Sequence, residues 1–257
     1  MPTYWEYLRI DELLSLQEPT GDEHDETLFI IIHQSYELWF KEMLHELGYF
    51  QTLLAKNDLP RAFHTMKRVL TILKMLVAKI DILETMTPLE FLTFRERLES
   101  GSGFQSAQFR ELEFVLGHKR RAMVEHFPDG SSARANLSRR WSEPTVWDAF
   151  VRFLNQNGWP VPPATLERDV TAPITPSPEM QKLLIDVYKS NPSLANLCER
   201  LVDLDEGVQE WRYRHVKMVE RTIGTKRGTG GSEGAEYLKT TLMRPLFPDL
   251  WEIRTSL

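Results

Sequence analysis

Between Asp25 and Leu54 the large apolar residues fall at positions 28, 29, 32, 36, 39, 40, 43, 44, 47, 50 and 54, while Glu37, Lys41, Glu42 and Glu46 take the intervening face. Steps of three and four over eight turns predict one long amphipathic helix. A second begins after Asp58-Leu59-Pro60 and repeats through Phe63, Met66, Leu70, Leu73, Val77, Ile80 and Leu83. Thr87-Pro88-Leu89-Glu90 combines a capping box with proline at the first helical position, so a third helix starts there and carries Phe91, Phe94, Arg95 and Leu98. Ser100-Gly101-Ser102-Gly103 reads as a turn, Ser106 to Leu116 as a helix closed by Gly117, and residues 126–141 as irregular. A helix around Pro144 to Asn157 ends at Gly158. A proline-rich connection follows, and Ser177-Pro178-Glu179 opens a helix running to Tyr188. The longest seam comes last: Leu194, Leu197, Leu201, Leu204, Val208, Trp211, His215 and Met218, ended by Gly224. Strand-like alternation is almost absent, so the expected fold is all-α, a single helical domain over residues 1–257 built on long amphipathic helices.

Composition narrows the classes. With 42% hydrophobic residues and charge spread along the chain, a disordered protein is excluded. Cys198 is the single cysteine, so neither an intrachain disulfide nor a multi-cysteine metal site can form. The longest apolar run, Leu28 to Ile32, is far too short to span a membrane, and Met1-Pro2-Thr3-Tyr4-Trp5-Glu6 does not resemble a secretory signal. The expected location is the cytoplasm, without a membrane partner. A net charge of −6 argues against nucleic acid, and the six Lys/Arg within 118–140 read as a solvated surface.

Four features could carry chemistry. His33 follows Phe29 by four residues and precedes Tyr36 by three, which places it on the apolar side of its helix; a packed core histidine fits that position as well as a functional one. His215 sits one turn from Trp211 on a buried seam. With no second cysteine and no His-x3-His pair it would be a lone axial ligand, which suits haem better than zinc, or else a structural histidine. Arg95 lies one turn after Phe91 among apolar neighbours, where its planar fork suits a carboxylate or an internal glutamate. Residues 224–234 hold five of the chain's 13 glycines but lack a P-loop ending. Such a loop could close over a small anionic group with Thr229 as hydroxyl donor, or simply connect two helices.

Five strings taken together resemble the tryptophan 2,3-dioxygenase family: His24-Asp25-Glu26-x-Leu28-Phe29-Ile30-Ile31-x-His33-Gln34-x-x-Glu37-Leu38-Trp39; Phe94-Arg95; Ser102-Gly103-Phe104-Gln105-Ser106-x-Gln108-Phe109-Arg110; Trp211-Arg212-Tyr213-Arg214-His215; and Lys226-Arg227-Gly228-Thr229-Gly230-Gly231. The resemblance runs from Tyr4 to the C-terminus. It implies an all-helical subunit enclosing a pocket for one haem b, assembled as a homotetramer, that inserts both atoms of O2 across the indole C2–C3 bond of L-tryptophan to give N-formylkynurenine. Carried over by position, His215 is similar to the axial ligand of the haem iron. Ser102 and Gly103 match residues beside the cofactor, and His33 the catalytic histidine that contacts the indole N–H. Phe29 and Leu98 match residues packing the indole, Arg95 the carboxylate clamp and Thr229 the head-group contact. Phe91 stands where the family has Tyr or Phe, so a hydroxyl contact is absent here. Tyr4, Tyr7 and Leu8 lie in an N-terminal arm, residues 1–20, that in the family reaches a neighbouring subunit's pocket. Two rivals stand beside this reading: a relative acting on a modified tryptophan in specialised metabolism, as a dioxygenase or a monooxygenase, and a haem carrier without turnover.

Overall fold

The computed structural model describes residues 1–98, 101, 103–226, 228 and 234–257. Every regular element among them is helical. In chain order these are α1 (Tyr4–Leu8), α2 (Ile10–Leu14), α3 (His24–Ala55), α4 (Leu59–Leu83), α5 (Pro88–Arg95), α6 (Ala107–Val115) and α7 (Arg121–Glu125). Then follow α8 (Ser132–Ser142), α9 (Val146–Gln156), α10 (Pro163–Leu166), α11 (Pro178–Ser190), α12 (Pro192–Ile223), α13 (Ala235–Lys239) and α14 (Pro248–Glu252). Short 3-10 turns occupy Glu96–Leu98, Gly103–Gln105 and Ile253–Ser256.

The helices begin where side chains replace missing backbone acceptors. Thr87 accepts from Glu90 N while Glu90 Oε2 accepts from Thr87 N at 2.6 Å, the reciprocal pair expected from the motif. Thr145 and Asp148 do the same for α9, and Ser106, Ser131, Ser177 and Asn191 cap α6, α8, α11 and α12. Two 32-residue helices, α3 and α12, flank α4; α6 and α9 pack on α3, and α11 on α12. Leu47, Phe50 and Leu54 of α3, Met66 and Val69 of α4, Phe150 and Leu154 of α9 and Leu197, Leu201 and Leu204 of α12 share one buried cluster. Burying each such side chain contributes about 1.5–3 kcal/mol. Asp205, fully buried on α12, accepts from Leu246 N, Phe247 N and Trp251 Nε1 and so ties the C-terminal segment to that helix.

Two local expectations are corrected. Residues 132–142 form α8, although the stretch had read as irregular. Leu137 is its single buried position, so no apolar period appears in the sequence; its capping by Ser131 and ion pairs of Arg139 and Arg140 with Glu143 support it instead. The basic stretch is a solvated surface only in part: Arg121 and Arg139 are 63% and 49% exposed, but other cations turn inward. Lys119 is 5% exposed and donates to the carbonyls of Trp141 and Glu143, burial lowering its pKa to about 8, while Arg120 and Arg140 pair with Glu113 and Glu111. Those cations are consumed internally.

The arm behaves differently from the rest. Tyr4, Trp5, Tyr7, Leu8, Leu13, Leu14 and Leu16 are all exposed, Tyr4 and Tyr7 by about three quarters of their surface. Its base is held: Gln17 donates to Gln34 on α3, and Gln34 donates to Leu16 O. No described helix is long and apolar enough to cross a membrane.

Candidate functional site

One face of α3, the α5 corner, α6 and the C-terminal turns of α12 enclose a cavity of ≈ 240 Å³. Helical register decides which α3 side chains reach it: Phe29, His33, Tyr36, Glu37 and Phe40 recur every three or four residues. The same rule brings Trp211, His215, Met218 and Thr222 in from α12. Phe91, Arg95 and Leu98 enter from α5 and its 3-10 extension, and Gly103 from the following turn. Thus Phe29, His33, Phe91, Arg95, Leu98, Gly103 and His215, scattered over 187 positions of sequence, line one cavity. Tyr4, Tyr7 and Leu8 do not line it; they lie in the exposed arm. Ser102 and Thr229 lie outside the described residues. The ends of the glycine-rich segment are described, and they approach each other: a Cβ at Gly234 (φ +63°) would lie 2.7 Å from the Lys226 carbonyl oxygen. Gly228 and Gly234 both border the cavity.

Three rings make an aromatic slot. Phe91 and Phe94 meet edge to face at 5.5 Å between centroids, and Phe29 lies 5.8 and 5.6 Å from them. The His33 ring is 4.1 Å from that of Phe29. Its Nδ1 lies 2.7 Å from the Phe29 carbonyl oxygen, a contact only a protonated Nδ1 can make, so Nε2 of the neutral ring carries the lone pair. Burial lowers the His33 pKa, against the hydrogen bond to Phe29 and the charge of Glu37. The ring therefore stays neutral near pH 7.

His215 stacks on Trp211 with centroids 5.1 Å apart and planes 6° from parallel. Burial pushes its pKa down to about 4, and the His33 imidazole and the Arg110 guanidinium act in the same direction. A neutral imidazole, held flat by an indole and facing a cavity, presents a nitrogen lone pair to whatever occupies that space. Among the described residues no three His, Cys, Asp or Glu side chains cluster as a metal-ligand set, so this nitrogen acts as a single donor.

The far wall carries charges that sequence reading did not assign. Glu113, 4% exposed, accepts from Arg110 and Arg120 at 2.6 Å each and from Arg212 at 3.2 Å; Arg212 also meets His118 Nδ1 at 3.0 Å, and Arg120 donates to the Tyr237 hydroxyl. Burial alone would raise the Glu113 carboxyl, but the three guanidiniums outweigh it and hold it below the usual range. Arg110, Glu113 and Arg212 border the cavity. The available signal was the i, i+3 pair Arg110-x-x-Glu113 set among Phe109, Leu112 and Phe114, an ion pair on a helix too apolar to be a surface.

Fold and cavity define a class: a helical protein with a small-molecule pocket that pairs a neutral, ligand-ready imidazole with an aromatic slot and a guanidinium. A family profile described as tryptophan 2,3-dioxygenase matches residues 2–129 and 176–257. The chain is 59% identical to the tryptophan 2,3-dioxygenase of Herpetosiphon aurantiacus, over 99% of this chain and 98% of that one. It is 53% identical to that of an Anaeromyxobacter species, over 99% and 96%, and 44% identical to that of Caulobacter vibrioides, over 99% and 98%. The chain belongs to the tryptophan 2,3-dioxygenase family. The stretch between the two matched segments holds α9, whose Trp147, Phe150 and Leu154 are buried in the same core as α3 and α12.

Proposed function

We propose that this protein is a haem-dependent dioxygenase that inserts O2 across the indole C2–C3 bond of L-tryptophan, giving N-formylkynurenine in the first step of tryptophan catabolism. The observation that carries the reading is the convergence of His215, His33 and Arg95 on one cavity. The residues fit the cofactor: His215 offers a neutral nitrogen, and the guanidiniums of Arg110 and Arg212, which border the cavity, suit the two propionates of one haem b per subunit. Gly103, beside the cavity, and Ser102 are assigned to the same cofactor. When bound, that group supplies the activation of O2, and the chain's own side chains do the rest.

Arg95 holds the substrate carboxylate through its fork, with Thr229 assigned to the amino-acid head group. Phe29, Phe91 and Leu98 pack the indole, whose edge faces His33. There the unprotonated Nε2 accepts the indole N–H, which fixes the ring's rotation; Phe91 has no hydroxyl, so the carboxylate depends on Arg95 and Thr229. Apolar walls keep water from the reacting carbon. A carrier without turnover has no use for a carboxylate clamp, and the relatives' names do not favour a modified substrate. Anaerobically reduced, haem-loaded protein mixed with L-tryptophan and O2 tests the proposal: the product must be tryptophan plus two oxygen atoms, both derived from labelled O2. A product carrying one oxygen atom, or none, overturns it.

His33→Ala is expected to retain measurable turnover, because losing one hydrogen bond to a neutral partner costs roughly 0.5–1.5 kcal/mol. The variant should also use 1-methyl-tryptophan relatively better, since that substrate lacks the N–H and needs the vacated space. Steady-state kinetics on both substrates check this; total loss of turnover with haem and substrate still bound makes His33 an essential acid–base group.

The chain is assigned to the cytoplasm as one domain that assembles into a homotetramer. In that assembly the exposed Tyr4, Tyr7 and Leu8 of the arm complete a neighbour's pocket. Their exposure supports the assignment, because rings this apolar are seldom left in water without a partner. Deleting residues 1–10 should therefore depress kcat/KM for L-tryptophan strongly, with light scattering reporting the oligomer. A truncated protein that stays tetrameric and fully active refutes the role.

A further inference from the structure

Glu26 belongs to the His24-Asp25-Glu26 string, yet it does not line the cavity. It is a carboxylate only 2% exposed, placed one turn before Phe29 and Ile30 and two turns before His33 on α3. A charge in such a place is kept only when its partners are good. Those partners come from two other parts of the chain. Oε1 accepts from both the backbone N–H (2.9 Å) and the hydroxyl (2.7 Å) of Thr20, at the base of the arm. Oε2 accepts from Arg97 at 3.3 Å, and Arg97 also donates to the Thr20 hydroxyl at 3.2 Å and grips Glu23 with both terminal nitrogens. The arm backbone is pressed close to this junction: a Cβ at Gly21 would lie 2.5 Å from Glu23 Oε2 and 2.6 Å from Arg97 Nη2.

Arg97 sits in the 3-10 turn Glu96–Leu98, between Arg95 and Leu98, both of which face the cavity. We propose that Glu26 is a positioning residue for substrate recognition: through Arg97 and Thr20 it fastens the α5 corner and the base of the arm to α3, and so sets where Arg95 and Leu98 stand relative to Phe29 and His33. The inference rests on the assignment of Arg95 as carboxylate clamp. A clamp works only at a fixed distance from the ring-packing residues, and a misplacement of 1 Å by a substitution away from the reacting atoms can cost about 10²-fold. Glu26 acts through Arg97 and touches no substrate atom.

The test uses the full-length, haem-loaded protein and compares wild type, Glu26→Gln, Arg97→Gln, Arg97→Lys and Arg95→Ala. Gln at position 26 keeps an acceptor for Thr20 but offers Arg97 no carboxylate. Arg97→Gln breaks the same contact from its exposed side, together with the grip on Glu23, so it reports even where Glu26→Gln folds poorly. Preference is read as the Ki of tryptamine, the decarboxylated analogue, divided by the KM of L-tryptophan. For both Gln variants KM should rise by about tenfold or more with kcat changed far less, the preference should fall in step, and haem content should be unchanged. Arg97→Lys, which keeps a cation beside Glu26, should recover part of the loss. Unchanged KM and preference in the folded Gln variants overturn the proposal. So does a fall in kcat and haem content with intact preference, which is what a merely structural role gives. Loss of preference in Arg95→Ala but in neither Gln variant removes Glu26 alone, whereas a wild type with no carboxylate preference, or an Arg95→Ala that keeps the wild-type preference, removes the clamp itself.

Discussion

His215→Ala is expected to leave a folded chain that no longer holds haem in stoichiometric amount. α12 is anchored upstream by Leu197, Leu201 and Leu204 and by the bonds to Asp205, so truncating one cavity-facing side chain three turns further on leaves the core intact. What disappears is the neutral nitrogen, and no other imidazole offers one in the same way. His33 also carries a lone pair on Nε2, but it stands beside the Phe29 slot on the opposite helix, where the substrate's ring is assigned. Haem content per chain should fall by an order of magnitude or more, and added imidazole should restore binding and a histidine-type spectrum by filling the space the ring vacated. His33→Ala, measured alongside, should keep its haem. Unchanged haem content and spectrum in His215→Ala, or loss of haem in His33→Ala instead, overturns the assignment. The substitution has a second readout in the haem-free protein. Because burial depresses the His215 pKa to about 4, the unfolded chain takes up a proton that the folded one refuses as pH falls from about 6.5 to 4. Stability falls with pH across that window, and the His215→Ala protein should lose less of it in urea titrations than the wild type.

Arg95→Ala should cost nearly as much, but in recognition instead of cofactor binding. A planar fork in an apolar slot makes two charge-assisted bonds to a carboxylate, and removing one partner of such a pair costs about 2–5 kcal/mol, or roughly thirty-fold to several thousand-fold in kcat/KM. Arg95→Lys keeps the charge yet loses the bidentate geometry, so it should fall between wild type and Ala. The loss should be confined to substrates that carry the carboxylate, since tryptamine never engaged the fork. If Arg95→Ala loses less than about tenfold for L-tryptophan, equivalent to about 1.4 kcal/mol, or if wild type turns over tryptamine equally well, the carboxylate is held elsewhere.

The Glu113 cluster places a limit on what such substitutions can be asked of the charged wall. Arg110 and Arg212 are each 5% exposed or less and share one carboxylate, so removing Glu113 would leave buried cations facing one another. The proposed haem binding there is better probed with the propionates esterified than with a Glu113 variant, because the ester removes the charge from the ligand and leaves the protein intact.

How much of this was legible before folding depends on whether the cause is local. A helix is specified by its own period and caps: the stripe from Leu194 to Met218, Ser177 at an N-cap, and the Thr87–Glu90 box all act within a few residues, and the structure has helices at each. Register carried further than element boundaries. Because His33 and Phe29 are four apart, and His215 and Trp211 likewise, their sharing a face was settled by 3.6 residues per turn. α8 carries no such period, because it buries one leucine, and the helix is held by ion pairs that composition alone gives as surface charge.

What could not be read from the chain is convergence across distance. That Glu113 would gather Arg110, Arg120 and Arg212 requires α6 to meet α12 nearly a hundred residues later, and a buried ion pair gives no sign in sequence to separate it from a solvated one. The same holds for Glu26, whose partners Thr20 and Arg97 lie on opposite sides of it in the chain. Local rules settle which face a side chain is on, since they depend on backbone geometry within a turn or two. Which faces meet, and so which charges lose their water and must find one another, depends on how α3, α5, α6 and α12 pack around the cavity, a property of the folded whole.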